Sequence, residues 1–212
     1  MPAPALTRRD APGAPCGLVL MLHGGKANGP GPIDERSASW RRSSWMMSHI
    51  GERLQGAGMS VWLLRYQLRG WNAGAASLPS PVPDARWALD EVRREHGGLP
   101  VVLLGHSMGA RTAVAVADDP SVKGVVALAP WLPANEPVAT LADRHLAAAH
   151  GSSDRITSAR QTAAFVRRAG SVASSTEFHD MGRAGHYMFR HRAQWNEFAA
   201  SRSLTFLHEG LA

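Results

Sequence analysis

Leu99 to Val116 read LPVVLLGHSMGARTAVAV. The run Val101-Val102-Leu103-Leu104 is aliphatic throughout and does not alternate with polar residues. A strand covered on both faces of a parallel sheet reads this way. Gly105-His106-Ser107-Met108-Gly109 follows, a G-x-S-x-G pentapeptide. Ala110, Ala113, Val114 and Ala117 then return at helical spacing. Strand, glycine-flanked serine and helix together form the context of a nucleophile elbow. The turn is too sharp for bulky neighbours, and Gly105 and Gly109 remove side chains where strand and helix meet. The helix start sets backbone N–H groups and a positive dipole end beside the Ser107 hydroxyl. The pentapeptide alone is a modest signal, and the competing reading is an inert serine in a glycine-rich turn. The flanking strand and helix are what give it weight.

Working outward, Gly17 to Leu22 is a further buried strand, ending at His23-Gly24-Gly25. Residues 1–16 are rich in Pro and Ala and are expected as a loose or extended arm, which leaves 17–212 as the domain. Lys26 to Ser39 is expected to be a mobile loop, punctuated by Gly29-Pro30-Gly31-Pro32 and long enough to overhang a site. Trp45, Met46, Ile50 and Leu54 mark an amphipathic helix, and Met59 to Tyr66 is the next strand. Asp84 is a plausible N-cap for a helix with Ala85, Ala88, Leu89 and Val92 inward. Strands follow at Val122 to Ala129, at His145 to His150 and at Val172 to His179. Helices are expected over Thr157 to Ala169 and residues 191–208. The alternation predicts an α/β protein, a three-layer α/β/α sandwich with a mostly parallel sheet of about six strands. Only residues 130–144 separate the strand ending at Ala129 from the one near His145, so no lid domain fits there.

The 212 residues suit one domain, and the 44% hydrophobic content supports a large core. The formal net charge is +6, and Lys26 and Lys123 are the only lysines among the basic residues. The arginines are scattered, with no long block, so a nucleic-acid partner is not expected. Cys16 is the single cysteine, which excludes an internal disulfide and a cysteine-built metal site. No stretch reaches membrane-spanning length. No metal or other cofactor is expected, and the cytoplasm is the default location.

A serine hydroxyl is a poor nucleophile at neutral pH. It needs a base, and the base needs a partner that fixes its tautomer. After an elbow in a sheet of this type the order is Ser, then an acid, then His. Asp154 stands in the loop after the HLAAAH strand, although an ordinary loop aspartate capping the next helix would read the same way. Asp143 and Asp180 are less well placed against a strand end. His186 stands in the loop after the final strand, in Gly182-Arg183-Ala184-Gly185-His186. Two donors are needed for the developing oxyanion. The Met108 N–H is one, and the Gly25 N–H, or that of Lys26 beside it, is the other.

On His23-Gly24-Gly25, GHSMG at 105–109, Asp154 and Gly185-His186, the chain resembles a compact α/β-hydrolase without a cap domain, similar to dienelactone hydrolases and carboxylesterases. That resemblance implies a Ser107-His186-Asp154 triad acting on the carboxylic ester or thioester of a small molecule through an acyl-enzyme. It also allows acyl transfer to an acceptor other than water. A binding protein on the same fold is the reading from another class. There is little room before Gly17 for the antiparallel hairpin that often begins this fold, hence six strands and not eight. Trp71, Trp131, Leu132 and Trp40 are candidates for an apolar substrate pocket, with Met108 beside them. Arg69 and Arg111 are possible carboxylate or phosphate ligands, though solvated or structural roles suit them better. A site covered only by loops favours short acyl chains.

Overall fold

The computed structural model describes residues 3–74 and 77–209. Seven strands run in chain order: β1 (Ala5–Arg9), β2 (Gly17–Leu22), β3 (Met59–Arg65), β4 (Val101–His106), β5 (Val122–Leu128), β6 (His145–His150) and β7 (Ser175–Asp180). They form one sheet in the order β1-β3-β2-β4-β5-β6-β7. Every pairing is parallel except β1 with β3. The register brings the carboxyl ends of the central strands level, with Leu22 opposite Gly105 and His106 opposite Leu128. The residues just beyond those ends, His23 and Ser107, therefore emerge side by side.

Five helices cover the sheet: α1 (Ala38–Gly56), α2 (Pro81–His96), α3 (Met108–Ala115), α4 (Ala159–Ala169) and α5 (Arg192–Glu209). Strand side chains alternate between two cores, as the pleat requires. Leu18, Leu20 and Leu22 join Trp62, Leu103 and Phe165 under α2, α3 and α4. Val19 and Met21 join Val61, Val102 and Trp195 under α1 and α5. Each fully buried leucine of this kind contributes about 1.5–3 kcal/mol relative to exposure, so two-sided coverage makes the middle strands the rigid part of the molecule.

Several segments differ from the sequence expectation. Asp84, expected at an N-cap, lies inside α2, whose N-cap is Ser80, and accepts from Gln67 N–H at 2.8 Å. Part of the arm expected over residues 1–16 is strand β1, which pairs antiparallel with β3 from Ala5↔Arg65 to Arg9↔Val61. The Arg8 guanidinium lies 4.2 Å from the Trp62 ring centroid, and Trp62 Nε1–H donates to Asp10 at 2.7 Å. An edge strand this short, with half-exposed arginines, carries too little apolar alternation to be seen in sequence. The Lys26 to Ser39 stretch, expected to be mobile, is stitched to residues 67–72. Lys26 N–H donates to Arg69 O at 3.1 Å, Arg69 N–H to Gly31 O at 2.9 Å and Gly70 N–H to Gly29 O at 3.0 Å. Helix α1 begins at Ala38, earlier than its apolar spacing suggests, and Met47 is buried where Trp45 is only half-buried.

Candidate active site

Ser107 occupies the turn between β4 and α3 with φ 56° and ψ −117°. A non-glycine residue held there stores about 1–3 kcal/mol of strain. The turn persists because its surroundings determine it. Ser107 N–H donates to Leu128 O at 3.1 Å, and Ser107 O accepts from Ala110 N–H at 3.1 Å and Trp131 N–H at 3.2 Å. A side chain at Gly109 would strike the Leu22 carbonyl, and one at Gly105 would strike the backbone of Ala110.

The loops after β6 and β7 are zipped together by Ser152 N–H to Gly182 O at 2.8 Å and Ser153 N–H to Ala184 O at 3.2 Å. This pairing sets Asp154 beside His186. His186 Nδ1 lies 2.8 Å from Asp154 Oδ2, and His186 Nε2 lies 3.0 Å from Ser107 Oγ. A carboxylate only accepts, so Nδ1 carries the proton and Nε2 is left to accept the Ser107 hydroxyl hydrogen. Asp154 caps no helix, since α4 begins at Ala159 with Ser158 at its N-cap; it closes the turn that precedes that helix. Its Oδ1 accepts from the N–H groups of Ile156 at 2.8 Å and Thr157 at 2.9 Å. This turn fixes the carboxylate with its second oxygen toward His186.

Two histidines that the sequence reading left out complete the arrangement. His150, fully buried at the end of β6, places Nε2 3.1 Å from Asp154 Oδ2, and its Nδ1 lies 2.8 Å from Thr162 Oγ1. Burial opposes the Asp154 charge, but hydrogen bonds from His150, His186 and the Thr157 and Ile156 N–H groups outweigh it. The carboxyl is held well below the usual carboxylate range. His106 has its pKa pushed down to about 3, by burial first and by the neighbouring His186 second. As a neutral ring it donates from Nε2 to the His186 carbonyl at 3.0 Å, clamping the loop that carries His186. A histidine ending a strand four residues before a candidate acid was the available signal for His150.

The loop with the expected oxyanion donors rests on another neutral histidine. Burial takes the His23 pKa down to about 4. Its Nδ1–H donates to Gly24 O at 2.7 Å, and its Nε2 accepts the Tyr66 N–H at 3.3 Å. Of the three expected oxyanion donors, Lys26 N–H is already committed to Arg69 O. The N–H groups of Gly25 and Met108 have no acceptor among the described residues. The two positions are in close apposition, since a Cβ on Gly25 would sit 2.5 Å from Met108 Sδ and 2.7 Å from Arg69 O.

A cavity of about 520 Å³ opens over Ser107 and His186. Gly25, Lys26 and Arg69 stand on its wall with Ser39 and Arg42 of α1 and with Tyr187. None of Trp71, Trp131, Leu132 and Trp40, the candidates for an apolar pocket, lines it. Trp71 and Leu132 are buried, and Trp71 meets Trp131 edge-on. Arg111 lies 4.2 Å and 4.6 Å from the centroids of these two rings and pairs with Glu136 at 2.7 Å, so its role is structural. Trp40 packs against the α1–α5 core. Among the described residues no helix is long and apolar enough to cross a membrane.

A family model described as serine aminopeptidase, S33, matches residues 41–149. The chain belongs to that family, within the α/β serine hydrolases. Solved structures of similar fold span nearly the whole hydrolase. An α/β serine hydrolase homologue from Coxiella burnetii is 18% identical with TM-score 0.71, over 94% of this chain and 91% of the other. Est1E of Butyrivibrio proteoclasticus, solved with ferulic acid bound, is 12% identical with TM-score 0.70, over 97% and 96%. A lidless α/β serine hydrolase from Xanthomonas campestris is 15% identical with TM-score 0.63, over 96% and 94%. Among curated proteins none matches the chain.

Proposed function

We propose that this hydrolase cleaves the carboxylic ester or thioester of a small molecule through an acyl-enzyme on Ser107. The observation that carries the reading is the unbroken hydrogen-bonded chain from Ser107 Oγ through His186 to Asp154, with distances of 3.0 Å and 2.8 Å. Ser107 Oγ attacks the carbonyl carbon as its proton passes to His186 Nε2. The carbonyl oxygen gains negative charge between the Gly25 and Met108 N–H groups. Collapse of the tetrahedral intermediate breaks the bond to the leaving oxygen or sulfur, which takes the proton from His186. Water then repeats the sequence on the acyl-enzyme, giving up a proton to His186 and releasing the acid. Asp154 holds the imidazole tautomer throughout and stabilises the imidazolium.

A thermophilic esterase of Thermogutta terrifontis, 16% identical with TM-score 0.70, among the structures of similar fold supports ester chemistry. The site needs no metal or cofactor in this scheme, and a cytoplasmic location belongs to the same reading. The test is the stopped-flow hydrolysis of p-nitrophenyl butyrate, in water and with added alcohol. A burst of nitrophenol followed by butyrate as product supports the reading. Butyrate found mainly on the added alcohol at low concentration would turn it into acyl transfer, and no turnover of esters or thioesters would refute it.

A further inference from the structure

The cavity over Ser107 continues past α1 into a second groove of about 430 Å³, with which it shares Arg36, Ala38 and Arg42. The groove adds Arg41, Arg192, Trp45 and Phe189 to its lining. Its charged lining is entirely cationic. In the first cavity Lys26 and Arg69 face a single carboxylate, that of Asp34. Arg42 is 9% exposed, and neither of its Nη atoms has a hydrogen-bond partner among the described residues. Leaving both Nη groups of a buried guanidinium unpaired is costly, and an oxyanion is what its fork of donors matches. Arg42 and Arg192 stand 4.9 Å and 5.5 Å from the Trp45 ring centroid. Burial, and then the like charge of Arg192, bring the Arg42 pKa down to about 10, so it stays cationic at neutral pH.

The groove also has a direction. Arg42 Nε–H donates to the carbonyl of Tyr187 at 3.0 Å. Tyr187 follows His186 directly, and His186 is the group that must hand a proton to the leaving oxygen. Arg42 is therefore anchored to the loop that carries that proton donor.

We propose that the natural substrate is an ester or thioester whose leaving group carries a carboxylate or phosphate, bound by Arg42 and Arg192 with its apolar body against Trp45 and Phe189. This rests on the hydrolase reading above and adds the substrate class. The neutral p-nitrophenyl esters that test the reading lack the feature that this groove selects.

The test compares leaving groups of one shape and different charge. Para-butyryloxybenzoate is set against its methyl ester, with para-butyryloxyphenyl phosphate as the phosphate arm and monoglutarate p-nitrophenyl ester as a control with its anion on the acyl side. For the free carboxylate or the phosphate, kcat/KM is expected to exceed that of the methyl ester by about tenfold or more, the scale of one charge-assisted contact. The larger ratio identifies the anion. That ratio is expected to fall several-fold in Arg192→Gln, an exposed position chosen because Arg42 is buried and also holds Tyr187. It is also expected to fall in about 0.5 M salt, where screening is strong. Equal rates for charged and methylated esters, a ratio indifferent to Arg192→Gln, or a preference for the glutarate control would overturn the proposal. Equal rates would leave the hydrolase reading standing, whereas no cleavage of any of these esters, p-nitrophenyl butyrate included, would remove both.

Discussion

His150 Nε2 stands 3.1 Å from Asp154 Oδ2, the same oxygen that faces His186, and both partners are buried. Asp154 is thus held by two imidazoles, of which one reaches Ser107 Oγ and the other reaches Thr162. His150 touches no reacting atom, so it is a positioning residue. His150→Phe is expected to lower kcat about 10–100-fold, the worth of one hydrogen bond to a charged group. KM for a small ester should change little, and His150→Gln should restore part of the rate. Because a donor is lost, the Asp154 carboxyl should move up toward its ordinary range, so its contribution to stability should be lost at a higher pH on acidification. An unchanged pH dependence of stability would reduce His150 to packing.

Asp154→Asn is expected to cost about 10⁴ in kcat by fixing the wrong tautomer of His186. Asp143→Asn should cost far less. Adding Ser107→Ala to His186→Ala should cost little more than either alone, since groups that act as a unit are not additive. Rate measurements on these variants that multiplied independently would separate the three residues.

Asp154 also links stability to pH. Its carboxyl is depressed in the folded state, so its contribution is fully present above the unfolded value of about 3.9 and is lost as the pH falls through the folded one. The stability difference between the native chain and Asp154→Asn should be constant above about pH 5 and shrink below about pH 4. Denaturant titrations at several pH values measure it, and a difference that grew on acidification would reverse the sign of the argument.

Much of this was legible in sequence because the elements are local. The apolar run Val101 to Leu104, the glycines around Ser107 and the strand endings before Asp154 and His186 each announce themselves within a few residues. What was not legible is long-range. His106 holds the His186 carbonyl across 80 positions, and Arg42 reaches Tyr187 across 145. The pairing of the Lys26 to Ser39 stretch with residues 67–72 depends on backbone groups that leave no side-chain pattern. Trp71 and Trp131 sit in loops at the right end of the sheet, and that position alone points to a pocket. They are instead spoken for by Arg111.

Gly25→Ala is expected to lower kcat about 10²–10³-fold, the usual worth of an oxyanion donor. A methyl group there would collide with Met108 and the Arg69 carbonyl and turn the Gly25 N–H away. If Lys26 N–H were the donor instead, a comparable loss would require breaking its bond to Arg69 O. A Gly25→Ala enzyme with near-native kcat would remove Gly25 from the oxyanion site.

Among neutral p-nitrophenyl esters, kcat/KM is expected to peak at about two to six acyl carbons and to rise no more than about fourfold per added CH₂, which is what ~0.8 kcal/mol of burial amounts to. The segment of residues 130–144 holds only a short 3₁₀ turn, at Ala139–Leu141, and supplies no lid. No jump in rate at a lipid–water interface is expected. A series from acetate to palmitate decides it, and a maximum at about ten carbons or beyond would show that the paired Lys26 to Ser39 stretch covers a longer acyl channel than burial of a few CH₂ groups requires.

The central claim is that Ser107 is the nucleophile. The most direct measurement is mass spectrometry of the protein after reaction with a fluorophosphonate, read alongside the turnover of Ser107→Ala. A single adduct on the peptide carrying Ser107, none in the variant, and a fall in kcat of about 10⁶ are the expected results. An adduct on another residue, or near-native turnover by Ser107→Ala, would contradict the account.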